Sequence, residues 1–63
     1  MTKIQRKRFS KWMQRLRVIC KKKTKLSNRA ILQLTPRDAF EESFLAGDTA
    51  KEAIEMEMSY WSE

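Results

Sequence analysis

The apolar residues between positions 9 and 20 recur with the period of an α-helix, and this pattern constrains the fold more than any other feature. At 100° per residue, the following fall within an arc of about 120°: Phe9, Trp12, Met13, Leu16, Ile19 and Cys20. Cations, with Gln14, occupy nearly all the rest of the wheel, and only Val18 and Lys23 are out of place. The pattern predicts a basic amphipathic helix at about 6–22.

The composition of the chain also favours helices. Its 63 residues include one glycine and one proline, so it is poor in the residues that form turns between strands. One cysteine and no histidine exclude an intramolecular disulfide and an ordinary Cys/His zinc site. Stability must therefore come from helix packing or from a partner chain. We expect one small all-α domain spanning residues 1–63.

An internal repeat in the second half of the chain predicts two more helices. Residues 35–44 and 49–58 share the order Thr, any residue, cation, acid, Ala, apolar residue, Glu, two further residues and an apolar residue. Each copy begins with a Thr suited to an N-cap, and Gly47 between them suits the left-handed conformation that ends a helix. We expect helices at about 36–46 and 50–61, joined as an αα-hairpin.

The connection between these regions carries weaker signals. Ser27 or Asn28 can cap a short helical turn at 27–34, but the pattern leaves an irregular connection equally open. If the turn forms, the inward-facing residues would be Ala30, Ile31 and Leu34.

A two-helix hairpin has no core of its own, so we expect the N-terminal helix to pack across it in a three-helix arrangement. The core residues expected from this packing are Phe9, Trp12, Leu16, Ile19, Phe40, Ile54, Met58 and Trp61.

Charge divides the chain into two parts of opposite sign. Residues 1–29 carry twelve cations and no acid, whereas residues 30–63 carry two cations and eight acids, giving +12 and −6. The cationic face of the first helix suits non-specific contact with phosphates or with another anionic surface. The residues expected to make such contacts are Arg6, Arg8, Lys11, Arg15, Lys21 and Lys22. Any nucleic-acid binding through them would be weak and independent of sequence.

The hairpin itself is poorly suited to reading a DNA groove. A DNA-binding helix-turn-helix also joins two helices through a short Gly-containing turn. Here, however, the second helix carries Glu52, Glu55 and Glu57 against Lys51, and phosphates would repel it.

The residues show no catalytic constellation. Without histidine, general base catalysis would fall to a carboxylate, a lysine or the thiol. The acids lie on regular helix faces, as in ordinary solvated helices. Cys20 lies among cations, which is typical of a reactive thiol, but also on the apolar arc, which favours a buried structural one. We expect no enzyme, no cofactor and no metal site.

A basic amphipathic helix with Trp12 at its polar boundary also suits an anionic membrane surface. Packing of its apolar arc on the hairpin is the simpler interpretation. No apolar run approaches the ~20 residues of a membrane span, and charges interrupt any signal-peptide h-region in the opening stretch. We therefore expect a soluble protein of the cytoplasm.

The last helix carries more large side chains than one face can bury. Met56 and Tyr60 lie within about 40° of each other on the wheel, far from Trp61, which shares the core side with Ile54. Met and Tyr together suit a contact surface, although a frayed last turn without a role is the simpler alternative. The contact surface expected for self-association or for a host or phage protein comprises Phe44, Leu45, Met56 and Tyr60.

Segment 44–61 resembles the C-terminal end of small proteins encoded in the early regions of temperate lambdoid bacteriophages. The shared elements are an aromatic residue, Ala-Gly, a capped helix with an inner Ala and a Glu-Met-Ser-Tyr-Trp ending. They occur here at Phe44, Ala46, Gly47, Thr49, Ala53, Glu57, Met58, Ser59, Tyr60 and Trp61. The size and the basic N-terminus also resemble the short open reading frames between the exonuclease and excisionase genes.

The resemblance implies a non-enzymatic accessory protein, made early after infection or induction, that biases phage development or host physiology in the host cytoplasm. It implies no catalytic residues. Three hypotheses follow: a module for protein–protein interaction, a small DNA-associated protein that uses the basic helix, and a membrane-surface peptide.

Overall fold

The computed structural model describes residues 1–61 and contains four α-helices and, within that range, no strand. The helices are α1 (Lys3–Thr24), α2 (Asn28–Leu34), α3 (Arg37–Leu45) and α4 (Ala50–Trp61). α1 packs mainly against α4 and also contacts α2 and α3, while α3 contacts α4. The expected all-α class is confirmed, and a fourth helix occupies the connection that the sequence left open.

α1 is longer at both ends than the predicted 6–22. The hydroxyl of Thr2 accepts the N–H of Gln5 at 3.2 Å, and the Gln5 side chain accepts the N–H of Thr2 at 2.9 Å. This capping box starts the helix three residues earlier than the apolar pattern indicated. Lys25, with φ 59°, adopts the left-handed conformation that ends it.

The N-cap of α2 is Ser27, one of the two residues that the sequence indicated for this role. The hydroxyl of Ser27 accepts the N–H of Ala30 at 3.3 Å. Ile31 is buried and Ala30 partly so, but the expectation that Leu34 faces inward is wrong, because its side chain is exposed. Thr35, four residues after Ile31, takes the inward position instead.

The first copy of the internal repeat does not start a helix in the way expected. Thr35 is fully buried, and its hydroxyl donates to the carbonyl of Ile31 at 2.6 Å. The guanidinium of Arg17 donates to the Thr35 hydroxyl at 3.2 Å and to its carbonyl at 3.1 Å. α3 begins only at Arg37, after Pro36, which makes no side-chain cap hydrogen bond. Thr35 therefore connects the end of α2 to α1 through hydrogen bonds, and the prediction that it is an N-cap is wrong.

The turn between α3 and α4 follows the sequence prediction closely. Gly47 has φ 91°, a backbone conformation that residues with a Cβ atom rarely adopt. The N–H of Asp48 donates to the carbonyl of Ser43 at 3.0 Å, in the manner of a Schellman motif. The hydroxyl of Thr49 then caps α4 by accepting the N–H of Glu52 at 3.1 Å. α3 ends at residue 45, one residue before the predicted end.

The core lies along the apolar face of α1, and all four helices contribute to it. Of the expected core residues, Phe9, Leu16, Phe40 and Ile54 are buried. The other four pack against this cluster while partly buried, and they are Trp12, Ile19, Met58 and Trp61. The remaining buried apolar side chains are Met13, Cys20, Ile31, Ala50 and Ala53. The thiol of Cys20 is thus a buried group, as its place on the apolar arc indicated.

An aromatic cluster joins α1 to α3 and to the α3–α4 turn. The ring centroid of Trp12 lies 6.0 Å from that of Phe9, 6.4 Å from Phe40 and 5.6 Å from Phe44. The Trp12 indole N–H also donates to the carbonyl of Asp48 at 3.0 Å. Phe44 was expected on a contact surface, and this placement is corrected: its ring packs inside the cluster, 5.0 Å from Phe9.

Candidate interaction surfaces

The cations expected to meet an anionic partner are all solvent-exposed on α1, but they do not form one face. Four of them fall within about 60° of the helical wheel and form a stripe about 21 Å long. The members of this stripe, called the cationic stripe below, are Arg8, Lys11, Arg15 and Lys22. Arg6 and Lys21 lie on the opposite shoulder of α1, where Lys21 donates to the side chain of Asn28 at 3.0 Å.

The cationic stripe borders an open groove of about 750 Å³ between α1 and the first turn of α4. Lys11 and Arg15 line it from α1, and Lys51 lines it from α4. Lys51 belongs to the acidic part of the sequence, so only the fold brings it beside the stripe. Asp48 also lines the groove and offsets part of the positive charge there.

Within residues 1–61, no group of three or more His, Cys, Asp or Glu side chains is placed to hold a metal ion.

The outer face of α4 exposes two large side chains one turn apart. Met56 is 61% exposed and Tyr60 is 65% exposed. Glu52 precedes Met56 by one turn on the same line of the helix, and Glu55 lies beside that line, so carboxylates flank the apolar pair. We call these four residues the α4 face. Leu45, also expected on a contact surface, is exposed at the end of α3.

A second exposed apolar region was not predicted from the sequence. It is a groove of about 320 Å³ between α1 and α2, in which Val18 is 54% and Leu32 53% exposed. Ile31, Gln14 and Lys21 also line this α1–α2 groove. The one available signal was Val18, an apolar residue on the polar side of the α1 wheel. It could not be interpreted while α2 remained only one of two alternatives.

The apolar face of α1 packs against the other three helices. No helix within residues 1–61 combines the length and the apolar character needed to cross a membrane.

The chain matches no family model, no curated protein and no solved structure.

Proposed function

We propose that this chain is a non-enzymatic accessory protein of a temperate bacteriophage that acts through protein–protein interaction at the α4 face. The observation that carries the proposal is the exposure of Met56 and Tyr60 on a helix whose opposite side is part of the core. Met adapts its shape to a partner, and Tyr offers a large ring with a hydroxyl that bonds at the edge of an interface. Covering this pair would remove apolar surface from water.

The arrangement around the pair also supports a contact role. Protein interfaces commonly place apolar and aromatic side chains at the centre and charged groups at the rim. Glu52 and Glu55 supply such a rim beside Met56 and Tyr60. A partner suited to the α4 face would present an apolar patch with cations at its edge, since charge complementarity favours docking and orients it.

The resemblance of segment 44–61 to early phage proteins supplies the biological setting of the proposal. A small protein without catalytic groups acts by occupying a surface of another protein. In the host cytoplasm, such occupation would bias phage development or host physiology according to which protein is bound.

We expect the double variant Met56→Glu, Tyr60→Glu to lose the partner that the wild type captures from host lysate. One side chain at the centre of an interface can contribute about 2 kcal/mol, which is about 30-fold in affinity, so loss of both should lower affinity for the purified partner by about 30-fold to 1,000-fold. Isothermal titration calorimetry with that partner measures the change.

The matched control is Ile4→Glu, Leu34→Glu, which adds the same charge at two exposed apolar positions outside the α4 face. It should bind like the wild type, with an unchanged circular dichroism spectrum. A double variant of the α4 face that captures the same host proteins with the same affinity would refute the proposed function.

A second candidate function, non-specific nucleic-acid binding, is favoured by the exposure and alignment of the cationic stripe. Contact with four to six phosphates would give a slope of about −4 to −5 in log K against log salt, at about 0.9 per contact. We expect weak binding that is the same for duplexes of unrelated sequence. Fluorescence anisotropy between 50 and about 200 mM salt measures the slope.

The variant Lys11→Gln, Arg15→Gln should make this slope shallower by about 2, because each neutralised side chain removes one phosphate contact. Lys25→Gln, which lies outside the stripe, is the control. A tight complex with one sequence that survives raised salt would contradict non-specific binding and indicate direct recognition of bases.

A further inference from the structure

The α4 face is poorly suited to bind a copy of itself. A two-fold dimer through this face would bring four carboxylates, those of Glu52 and Glu55 from each copy, into one interface with no cation of the α4 face to balance them. Like charges placed opposite each other at an interface oppose association. The carboxylates that frame Met56 and Tyr60 therefore select for a basic partner surface.

The α1–α2 groove has the complementary character. Its floor is apolar, because Val18 and Leu32 expose about half of their surfaces there and Ile31 lies beneath them. Arg17 and Lys21 line the groove from α1. No acidic residue occurs in residues 1–34, which form both walls of the groove.

We propose that the α1–α2 groove binds the α4 face of a second copy of this chain. Met56 and Tyr60 of one copy pack on Val18 and Leu32 of the other, and Glu52 and Glu55 lie toward the cations of α1 and α2. This inference rests on the proposed function, since it uses the same α4 face, and it names a partner for it.

Because the two surfaces lie on different parts of one chain, the contact is heterologous. Each bound copy still presents one open groove or one open α4 face, so association continues beyond a dimer into rings or open chains. Ionic attraction between the two surfaces makes this association sensitive to salt.

The test uses two variants that each block one surface. Met56→Glu disables the α4 face and keeps the groove, whereas Leu32→Glu disables the groove and keeps the α4 face. Sedimentation equilibrium of the wild type should show a mass that rises past that of a dimer with concentration. Each variant alone should be monomeric. An equimolar mixture of the two should form a 1:1 complex that grows no further, because its two outward surfaces are both blocked.

The control is Ile4→Glu, which adds the same charge at an apolar position of α1 that is 65% exposed, and it should associate like the wild type. Circular dichroism checks that every variant keeps its helices. Should a glutamate disturb folding, Met56→Gln and Leu32→Gln block the same surfaces without added charge. Raising salt from about 0.1 to 1 M shortens the Debye length from about 10 to 3 Å and should weaken wild-type association at least tenfold.

Several outcomes overturn the inference. If the Leu32→Glu variant still dimerises, the contact joins one α4 face to another. If the Met56→Glu variant still associates, the contact joins one groove to another. Association that strengthens with salt excludes the charge pairing. A wild type that stays monomeric at about 1 mM excludes self-association. The proposed function would then be tested by the capture experiment alone, with a basic protein other than this chain as the expected partner.

Discussion

The variant Trp12→Ala should unfold much of the protein. Trp12 contacts three phenylalanine rings, and its indole N–H donates to the carbonyl of Asp48 in the turn before α4. Truncation of a large aromatic in a core typically costs about 3–5 kcal/mol. A 63-residue domain, at roughly 0.05–0.15 kcal/mol per residue, has a total stability of only about 3–9 kcal/mol. Thermal and urea unfolding followed by circular dichroism measure the loss.

Two further variants provide comparisons for Trp12→Ala: one keeps an aromatic ring at position 12, and one removes an exposed aromatic ring elsewhere. Trp12→Phe keeps an aromatic ring and removes the indole N–H, so its cost should be nearer 1 kcal/mol. Tyr60→Ala removes an aromatic side chain of similar size from an exposed position and should change stability by less than about 0.5 kcal/mol. If Trp12→Ala leaves the helical signal and the midpoint nearly unchanged, then the fold of α1 does not depend on the packing of Trp12 against α3 and the α3–α4 turn.

The second large effect is expected at Leu16, which has no solvent exposure and lies on the core face of α1. Leu16→Ala should destabilise the protein by about 2–5 kcal/mol, because it removes buried methyl groups and leaves a cavity. The midpoint of urea denaturation should fall with little change in the slope of the transition.

Val18, two residues further along the same helix, provides the matched control because 54% of its surface is exposed. Val18→Ala should be nearly neutral or slightly stabilising, since alanine has the higher helix propensity. Equal losses at both positions would mean that α1 does not present Leu16 to the core and Val18 to solvent.

Local signals explain which elements could be predicted. The apolar period of α1, the glycine that ends α3 and the Thr49 cap of α4 each act within a few residues. Such interactions are encoded in neighbouring positions and need no distant partner. The capping box of Thr2 and Gln5 is equally local, but it lies outside the apolar pattern and starts α1 three residues before that pattern indicates.

Thr35 illustrates where local pattern misleads. Its place in the repeat indicated an N-cap, but the partners that hold it are Arg17 on α1 and the carbonyl of Ile31. A polar side chain shielded from water must have its hydrogen bonds satisfied, and Arg17, eighteen positions away, supplies one of them. The repeat pattern gives no sign of this long-range hydrogen bond, and Thr35 makes it in place of the N-cap bond that the pattern predicted.

Of the two exposed apolar surfaces, one could be predicted from the sequence and the other could not. Exposure of Met56 and Tyr60 followed from the helical period of α4, whereas the α1–α2 groove required α2 to lie beside Val18. The place of Phe44 in the aromatic cluster also depended on the direction in which α3 meets α1.

The all-α class, the apolar face of α1 and the turn at Gly47 follow from the amino-acid sequence, because each depends on residues within one or two helical turns. The separation of charge along the chain also follows from the sequence, since it is the order of the residues themselves. Which sides of the helices meet, and therefore which side chains stay exposed, depends on how the helices pack in three dimensions. Those choices rest on the packing of Trp12, Phe44 and Thr35 against residues distant in sequence, and packing energies depend on shapes that no local pattern specifies.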